Sequence, residues 1–296
     1  MAPLRIATRG SRLALWQAER VAGLLGGDTE LVVVSTTGDQ RTDVPIWTIG
    51  GTGVFVKEVQ QAVLEGRADL AVHSAKDLPS ETAAGLRLAA VPERADPRDA
   101  LVGARLEDVP TGGTIGTGSV RRQAQLAALR PDLRFQSIRG NIETRIGKAG
   151  GEVDAVVVAL AALERLGLAD RAAEVLDPAL MLPQVAQGAL AVECRVDDDE
   201  TTTRLAALDD PAARRAVDAE RAFLRRLGGG CDLPCGALAH AAPDPTGALA
   251  IVVLLATLDG KTVLRVTHEG SDPETVGVEA ARVLLDEHGG RDLLNS

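Results

Sequence analysis

Short apolar runs alternate with segments of helical spacing over the first quarter of this 296-residue chain. Leu4–Thr8, Leu31–Ser35 and Leu70–Val72 are predicted strands, and Leu13–Leu25 and Val54–Leu64 are predicted helices. This β-α-β-α-β order predicts a parallel sheet with right-handed crossovers. Because the carboxyl ends of parallel strands share one edge of a sheet, ligand-binding side chains are expected at that edge.

A second α/β unit follows the Pro- and charge-rich segment 92–97, which we interpret as a domain boundary. The apolar run Leu190–Cys194 is predicted to return to the first sheet, so that two segments cross between the units. Three further strands and a helix over Pro273–Glu287 are predicted near the end of the chain. The predicted architecture is α/β, with domain 1 at 1–93 and 188–208, domain 2 at 94–187, and a small α+β domain 3 at 209–296.

Composition and charge exclude several classes of function. The net charge of −10 is a poor match for nucleic acid, which needs a concentrated positive surface. The longest apolar run, Ala248–Leu258, is too short to span a bilayer, and the first residues lack a signal peptide pattern, so a cytoplasmic protein is expected. The three cysteines and four scattered histidines predict neither a disulfide framework nor a metal site.

The stretch Ala68–Pro79 begins as a buried strand and then becomes polar, with Lys76 and Asp77 immediately before the break at Pro79. Its polar end falls at the carboxyl end of the predicted strand, where catalytic groups of α/β domains are found. The alternative interpretation is that Lys76 and Asp77 are solvated loop residues.

Arginines recur where a strand ends and a helix begins, a position at which the helix dipole disfavours cations. Their repetition at strand ends predicts anion sites, and guanidinium groups bind carboxylates through two parallel hydrogen bonds. A small polycarboxylate is therefore the expected ligand. The alternative is that the arginines pair with acidic residues of the surface. The residues at these positions are Arg9 with Ser11, Ser119 with Arg121 and Arg122, and Arg139 with Arg145.

Cys231 follows Gly228–Gly230, on a loop with unusual backbone freedom. A thiol in such a place is positioned to react or to carry a group, although a harmless loop thiol is the alternative. Cys235 follows Pro234 and leads into a strand, so it is expected to pack inward. Cys194 is expected to be buried in a strand.

Several motifs run through nearly the whole chain in a fixed order, and in this combination the chain resembles the porphobilinogen deaminase, or hydroxymethylbilane synthase, family. These motifs are Ala7-Thr-Arg9-Gly-Ser11, Ala14-Leu-Trp-Gln17, Gly53-Val-Phe55-Val-Lys57-Glu58, His73-Ser-Ala-Lys76-Asp77-Leu-Pro79, Gly116-Thr-Gly-Ser119-Val-Arg121-Arg122-Gln123, Arg139-Gly-Asn141, Thr144-Arg145, Gln187-Gly188 and Gly229-Gly-Cys231.

The resemblance implies two hinged α/β domains like those of type II periplasmic binding proteins, followed by a small C-terminal α+β domain. It implies one dipyrromethane cofactor per chain, joined by a thioether to Cys231. Four porphobilinogen molecules are deaminated and added head to tail to that cofactor, and water then releases hydroxymethylbilane. A monomer without nucleic-acid or membrane partners is expected.

The same matching assigns roles to individual residues. Asp77 matches the catalytic aspartate, and Phe55 falls on a loop–helix junction that covers the active site in the family. The expected cofactor contacts are Cys231, Arg9, Ser11, Lys76, Asp77, Ser119, Arg121, Arg122, Arg139 and Arg145. The expected substrate contacts are Arg9, Phe55, Arg139, Arg145, Arg165 and Gln187.

The chain departs from the family pattern at three positions. Thr52 stands where a basic residue is frequent, Gly118 replaces a common serine, and Cys235 replaces an apolar residue and creates a second candidate thiol. The competing hypothesis is a non-catalytic anion-binding protein of the same hinged fold. It explains the arginines and the two crossing segments but explains neither Cys231 nor the third domain.

Overall fold

The computed structural model describes residues 3–36, 53, 55–229, 233–242 and 247–294. The chain divides into two compact units, Met1–Ala95 with Ala189–Arg214, and Asp96–Gly188 with Arg215–Ser296. The first division falls inside the Pro- and charge-rich segment 92–97.

The described helices and strands follow one another in the alternating order that the sequence predicts, with a few additional short elements. They are β1 (Leu4–Arg9), α1 (Arg12–Leu25), β2 (Thr29–Val34), α2 (Lys57–Leu64), β3 (Leu70–Ser74), a 3₁₀ turn (Ala75–Asp77), β4 (Leu86–Ala90), β5 (Asp99–Val102), β6 (Thr114–Gly116), α3 (Val120–Leu129), β7 (Arg134–Gln136), α4 (Ile142–Ile146), β8 (Ala155–Ala159), α5 (Leu160–Arg165), a second 3₁₀ turn (Ala169–Arg171), β9 (Ala172–Val175), β10 (Leu190–Arg195), α6 (Asp199–Ala206), α7 (Pro211–Leu227), β11 (Cys235–Ala241), β12 (Leu249–Ala256), β13 (Val263–Gly270), α8 (Pro273–Arg282), a π-helical turn (Val283–Glu287) and α9 (Gly290–Leu294).

The described strands of the first unit form a sheet in the order β2-β1-β3-β10-β4. The β-α-β-α-β order predicted a parallel sheet, and this is confirmed, because β1 pairs in parallel with β2 and with β3. The prediction that Leu190–Cys194 returns to this sheet is also confirmed, and β10 runs antiparallel to β3 and β4. The reason lies in the connection. The chain re-enters this unit at Ala189, and Leu190 pairs with Ser74 at the carboxyl end of β3, so β10 runs in the opposite direction.

Both faces of this sheet are covered, because successive side chains of a strand point to opposite faces. Leu70 and Val72 of β3 pack in one cluster with Val21 of α1, whereas Ala71 packs in another with Val59 of α2. The run of buried residues in β3 therefore has no polar alternation, as expected for a strand between two helical layers.

The α/β sheet of the second unit repeats the same order, β7-β6-β8-β5-β9. In this sheet β5 holds the place that β10 holds in the first sheet, and it pairs antiparallel with both β8 and β9. The sequence did not predict β9, which is a short edge strand with partly exposed side chains.

The strands β11-β12-β13 form a small antiparallel sheet in the same unit, with the expected Asp259-Gly260 turn between the last two strands. Leu254 and Ala256 of β12 share a buried cluster with Ala124 of α3 and with Leu182. The predicted fold class is thus confirmed: two α/β sheets and a small C-terminal α+β part. Among the described helices, none combines the length and apolar character needed to cross a membrane.

Candidate active site

Asp77 lies on the 3₁₀ turn that ends β3. The turn is fixed by backbone hydrogen bonds, with the Ala75 N–H donating to the Ala189 carbonyl at 3.0 Å and the Leu78 N–H donating to the Ala75 carbonyl at 3.2 Å. Asp77 and Lys76 are both half-buried. Within the described part of the chain, the Asp77 carboxylate makes no hydrogen bond or ion pair, so its charge is available to a cationic ligand.

A buried polar cluster lies behind this turn. His73 Nε2 is 3.2 Å from Glu193 Oε2, and Gln60 Nε2 donates to the same oxygen at 2.8 Å. Gln17 Nε2 donates to Ser74 Oγ at 2.8 Å. These contacts connect α1, α2, β3 and β10. Sequence reasoning missed Glu193, although a charged residue inside an apolar strand was a signal that it has a buried partner.

Arg9 ends β1 and Ser11 begins α1. The Ser11 Oγ accepts a hydrogen bond from the Ala14 N–H at 3.3 Å, which makes Ser11 the N-cap of the helix. The Arg9 guanidinium carbon lies 4.1 Å from the centroid of the Phe55 ring, within the range of a cation–π interaction. The structure therefore brings two predicted ligand contacts, Arg9 and Phe55, together.

Ser119 plays the same part in the second unit, where its Oγ accepts a hydrogen bond from the Arg122 N–H at 3.4 Å and caps α3. The neighbouring Gly118 has little room for the serine that is common in the family. An added Cβ at Gly118 would lie 3.1 Å from the Ile138 carbonyl oxygen.

Arg121 and Arg122 are both buried and both bind Asp99, whose side chain is fully buried. Arg121 Nη2 donates to Asp99 Oδ2 at 2.8 Å, and Arg122 donates to Asp99 Oδ1 through Nε at 3.1 Å and Nη2 at 2.7 Å. The two arginines thus pair with an acid, as the alternative interpretation held, but this acid is internal and not on the surface. Their contact with cofactor carboxylates stays a prediction.

Asp99 remains charged in this position. Burial alone would raise the pKa of Asp99, but the guanidinium groups of Arg121 and Arg122 outweigh that effect and hold the pKa of the carboxyl far below its usual range. Sequence reasoning did not single out Asp99, because it reads as the first residue of an apolar strand.

Gln187 is fully buried, and its amide is directed into the protein. Its Nε2 donates to the Pro97 carbonyl at 2.7 Å and to Asp99 Oδ1 at 2.8 Å. Arg165 binds the residue that follows Gln187, because its Nη2 donates to the Gly188 carbonyl at 2.6 Å. Burial lowers the pKa of Arg165 to about 10. Both predicted substrate contacts therefore also hold the segment that leads into β10.

Arg139 and Arg145 lie around the start of α4. Arg145 Nε donates to the Gly140 carbonyl at 2.8 Å, and Asn141 caps the helix by accepting from the Thr144 N–H at 2.8 Å. Arg139 differs, because its Nη1 is buried and has no hydrogen-bond partner within the described residues. A buried guanidinium donor of this kind needs an acceptor, and a ligand carboxylate is one that fits.

Of the two candidate thiols, Cys235 lies within the described residues and Cys231 does not. Cys231 and Thr52 lie outside the described residues, and attachment of a cofactor to Cys231 stays a prediction. Cys235 is buried at the start of β11, opposite Leu255, in agreement with the expectation that it packs inward. In the described part of the chain, no group of three or more His, Cys, Asp or Glu side chains is arranged to hold a metal ion.

Comparison with known proteins identifies the family. Residues 4–203 match the family model described as "Porphobilinogen deaminase, dipyromethane cofactor binding domain", and residues 214–286 match the model of the C-terminal domain. A porphobilinogen deaminase of Syntrophus aciditrophicus (strain SB) is 46% identical over 302 residues, which cover 98% of this chain and 97% of the relative.

A porphobilinogen deaminase of Roseiflexus sp. (strain RS-1) is 47% identical over 301 residues, with 98% of this chain and 98% of the relative covered. Among solved structures, the VFT2 domain of Bordetella pertussis BvgS is 18% identical, with a TM-score of 0.41 over 74% of this chain and 91% of that chain. The two family models and the full-length relatives lead to one conclusion: this chain belongs to the porphobilinogen deaminase family.

Proposed function

We propose that this protein is a hydroxymethylbilane synthase, a transferase that deaminates four porphobilinogen molecules and joins them head to tail. The observation that carries the proposal is the Asp77 carboxylate, which has no partner within the described residues although it lies on a well-fixed turn at the carboxyl end of β3. A charge held in this way is preorganised for a cationic substrate species.

The arginine-rich set supports a polycarboxylate ligand, because each pyrrole of porphobilinogen carries an acetate and a propionate. Arg139 Nη1 and Arg121 Nε are both buried donors without a partner in the described part of the chain, as expected of groups that await acceptors. Ser11 and Ser119 accept hydrogen bonds as helix caps, and their hydroxyl protons remain able to donate to a carboxylate.

The same donors fit the carboxylates of the dipyrromethane that the family model names. We propose that the carboxylates are held by Arg9, Ser11, Lys76, Ser119, Arg121, Arg122, Arg139 and Arg145. Asp77 also contacts the cofactor, and Cys231 is the covalent attachment point. When bound, the dipyrromethane supplies the free pyrrole carbon to which the first substrate unit is joined.

Asp77 then acts on the porphobilinogen that arrives. Loss of ammonia from the substrate leaves a cationic electrophile, and a carboxylate near the ring N–H stabilises that charge and can accept a proton. Arg139, Arg145 and Arg165 neutralise the acetate and propionate groups, which orients the ring and offsets the repulsion between successive carboxylates.

The attachment of the cofactor tests this proposal most directly. We expect the purified protein to be heavier than its sequence by one dipyrromethane, with the adduct on the Cys231 peptide. The adduct and the activity should be lost together in Cys231→Ser, because Cys231 directly follows the three glycines Gly228–Gly230 in the sequence, whereas Cys235 follows Pro234. Intact-protein and peptide mass spectrometry measure both.

Cys235→Ser is the matched control, since it removes a buried thiol from the start of β11. This variant should keep the adduct and the activity. An active protein of unmodified mass, or an adduct found on Cys235, would contradict the proposal.

A further inference from the structure

The Asp99 carboxylate joins three segments of the second unit: its own strand β5, helix α3 and the stretch that contains Gln187. Its two oxygens accept hydrogen bonds from Arg121, Arg122 and Gln187, and Gln187 also binds the Pro97 carbonyl. Arg121 in addition donates from Nη1 to the Leu182 carbonyl at 2.6 Å, and Arg122 from Nη1 to the Val157 carbonyl at 3.1 Å. The bonds that Arg121 and Arg122 donate fix the planes of their guanidinium groups.

The charges in this cluster do not balance. Two guanidinium groups face one carboxylate, and within the described residues no second acid pairs with either arginine. Arg121 is 1% exposed and Arg122 is 7% exposed, so water compensates little of the excess positive charge. A buried charge of this kind is costly unless an ion of opposite sign accompanies it.

One donor of the cluster is also unsatisfied. Arg121 Nε is buried and has no hydrogen-bond partner in the described part of the chain. Buried guanidinium donors are nearly always paired in proteins, so this atom is a second and independent indication that the cluster awaits an acceptor.

We propose that Asp99 is a positioning residue for carboxylate binding: it orients Arg121 and Arg122 and leaves the pair one positive charge, which a single ligand carboxylate neutralises. The inference rests on the proposed function, because it takes the ligand to be a pyrrole carboxylate. Asp99 itself touches no substrate. It acts through the two arginines, and Gln187 holds it in place.

Replacing Asp99 by asparagine tests this role, because the amide keeps the size of the side chain but turns an NH₂ toward the guanidinium donors. We expect Asp99→Asn to lower the fraction of chains that carry the dipyrromethane mass. In the cofactor-bearing chains it should raise the KM for porphobilinogen about tenfold or more, as loss of a hydrogen bond to a charged group does, with a smaller change in kcat.

A double-mutant cycle separates positioning from a merely structural role. Arg122→Gln should raise KM by itself, and Asp99→Asn with Arg122→Gln should raise it by less than the product of the two single increases, since Asp99 then has only Arg121 left to position. If the two increases multiply, Asp99 does not act through Arg122 and the inference is overturned.

Asp69→Asn is the matched control. Asp69 accepts hydrogen bonds from Arg5 at 2.7 Å and 3.2 Å, so its loss breaks a more exposed Asp–Arg pair in the first unit, among residues without an assigned role in binding. It should lower the melting temperature without changing KM or cofactor content. Equal KM changes in the Asp99 and Asp69 variants would overturn the inference.

Asp99→Asn can fail to fold, so Asp99→Glu serves as a second variant. It keeps the negative charge that pairs with Arg121 and Arg122 but moves the carboxylate by one methylene group, and a severalfold rise in KM is expected. An unchanged KM would overturn the inference. Failure of the proposed function is recognised separately, because the wild-type protein would then carry no dipyrromethane mass and form no hydroxymethylbilane.

Discussion

Two aspartates at strand boundaries have opposite surroundings, and the difference defines their roles. Asp77 follows β3 and has no partner among the described residues, whereas Asp99 begins β5 and accepts hydrogen bonds from three side chains. The Asp77 carboxylate can therefore bind a ligand, whereas the oxygens of the Asp99 carboxylate are already hydrogen-bonded to protein side chains. Whether an aspartate at a strand boundary of this chain can bind a ligand therefore depends on whether its carboxylate already has partners within the protein.

Asp77→Asn should abolish most turnover and leave the fold intact. Removal of one preorganised charge-stabilising group typically lowers kcat by about 10²–10³. Stability should change little, because no described hydrogen bond is lost with the carboxylate. Steady-state turnover, thermal melting and intact mass check this, and the dipyrromethane mass should persist. Near-normal turnover in Asp77→Asn would contradict the assignment.

At the residue scale, the sequence predicted groups that lie at strand ends but not the partners that hold them. Asp77 and Arg139 could be identified because a local pattern, a strand followed by a polar turn, marks them. Asp99 and Glu193 could not, because their partners are distant in sequence: 88 residues separate Asp99 from Gln187, and 133 separate Glu193 from Gln60. Such pairings are created only by the tertiary fold.

At the scale of the elements, helix caps and candidate anion contacts coincide. Ser11 caps α1 and Ser119 caps α3, and each lies two residues along the chain from an arginine that is proposed to bind carboxylates. A helix N-terminus presents free N–H groups and a positive partial charge, which adds to the attraction for an anion. We therefore expect the backbone donors of a capped helix start and the nearby guanidinium groups to contact the same ligand carboxylate.

Ser119→Ala should reduce both stability and ligand binding, because one side chain serves both. Loss of a serine N-cap costs about 1 kcal/mol of unfolding free energy. The KM for porphobilinogen should rise as well, since the hydroxyl donor is lost. Chemical denaturation and steady-state kinetics measure the two effects.

Asp272→Ala is the control for this prediction. Asp272 caps α8 by accepting from the Thr275 N–H at 2.8 Å, so its loss should cost a similar unfolding free energy. Its KM should remain that of the wild type. A KM for Ser119→Ala as low as that of the control would show that Ser119 only caps the helix.

The elements that sequence analysis missed share weak local signals. β9 has partly exposed residues and only four positions, and α6 contains the run Thr201–Thr203, whose β-branched side chains disfavour helices. Both are stabilised by the tertiary structure: β9 pairs with β5, and Leu205 of α6 packs in the core with Val192. Local propensity alone could not predict them.

At the scale of the whole molecule, one sheet order occurs twice. In both α/β sheets a strand from elsewhere in the chain is inserted antiparallel beside the third strand, β10 in the first and β5 in the second. The sequence predicted the return of β10 but not its direction. The three domain boundaries, the monomeric state and the cytoplasmic location stay predictions.

The growing product brings two further carboxylates with each added unit, so different arginines should matter at different stages. Arg122→Ala should impair cofactor assembly or the first addition, since Arg122 belongs to the Asp99 cluster. Arg165→Ala should instead stall longer chains, since Arg165 lies farther along the chain, at the end of α5.

Arg130→Ala, which breaks a pair with Asp132, is the control and should behave as the wild type. Intact-protein mass spectrometry after exposure to limiting porphobilinogen resolves the ladder of enzyme-bound intermediates. Identical ladders for Arg122→Ala and Arg165→Ala would exclude stage-specific roles while leaving carboxylate binding itself intact.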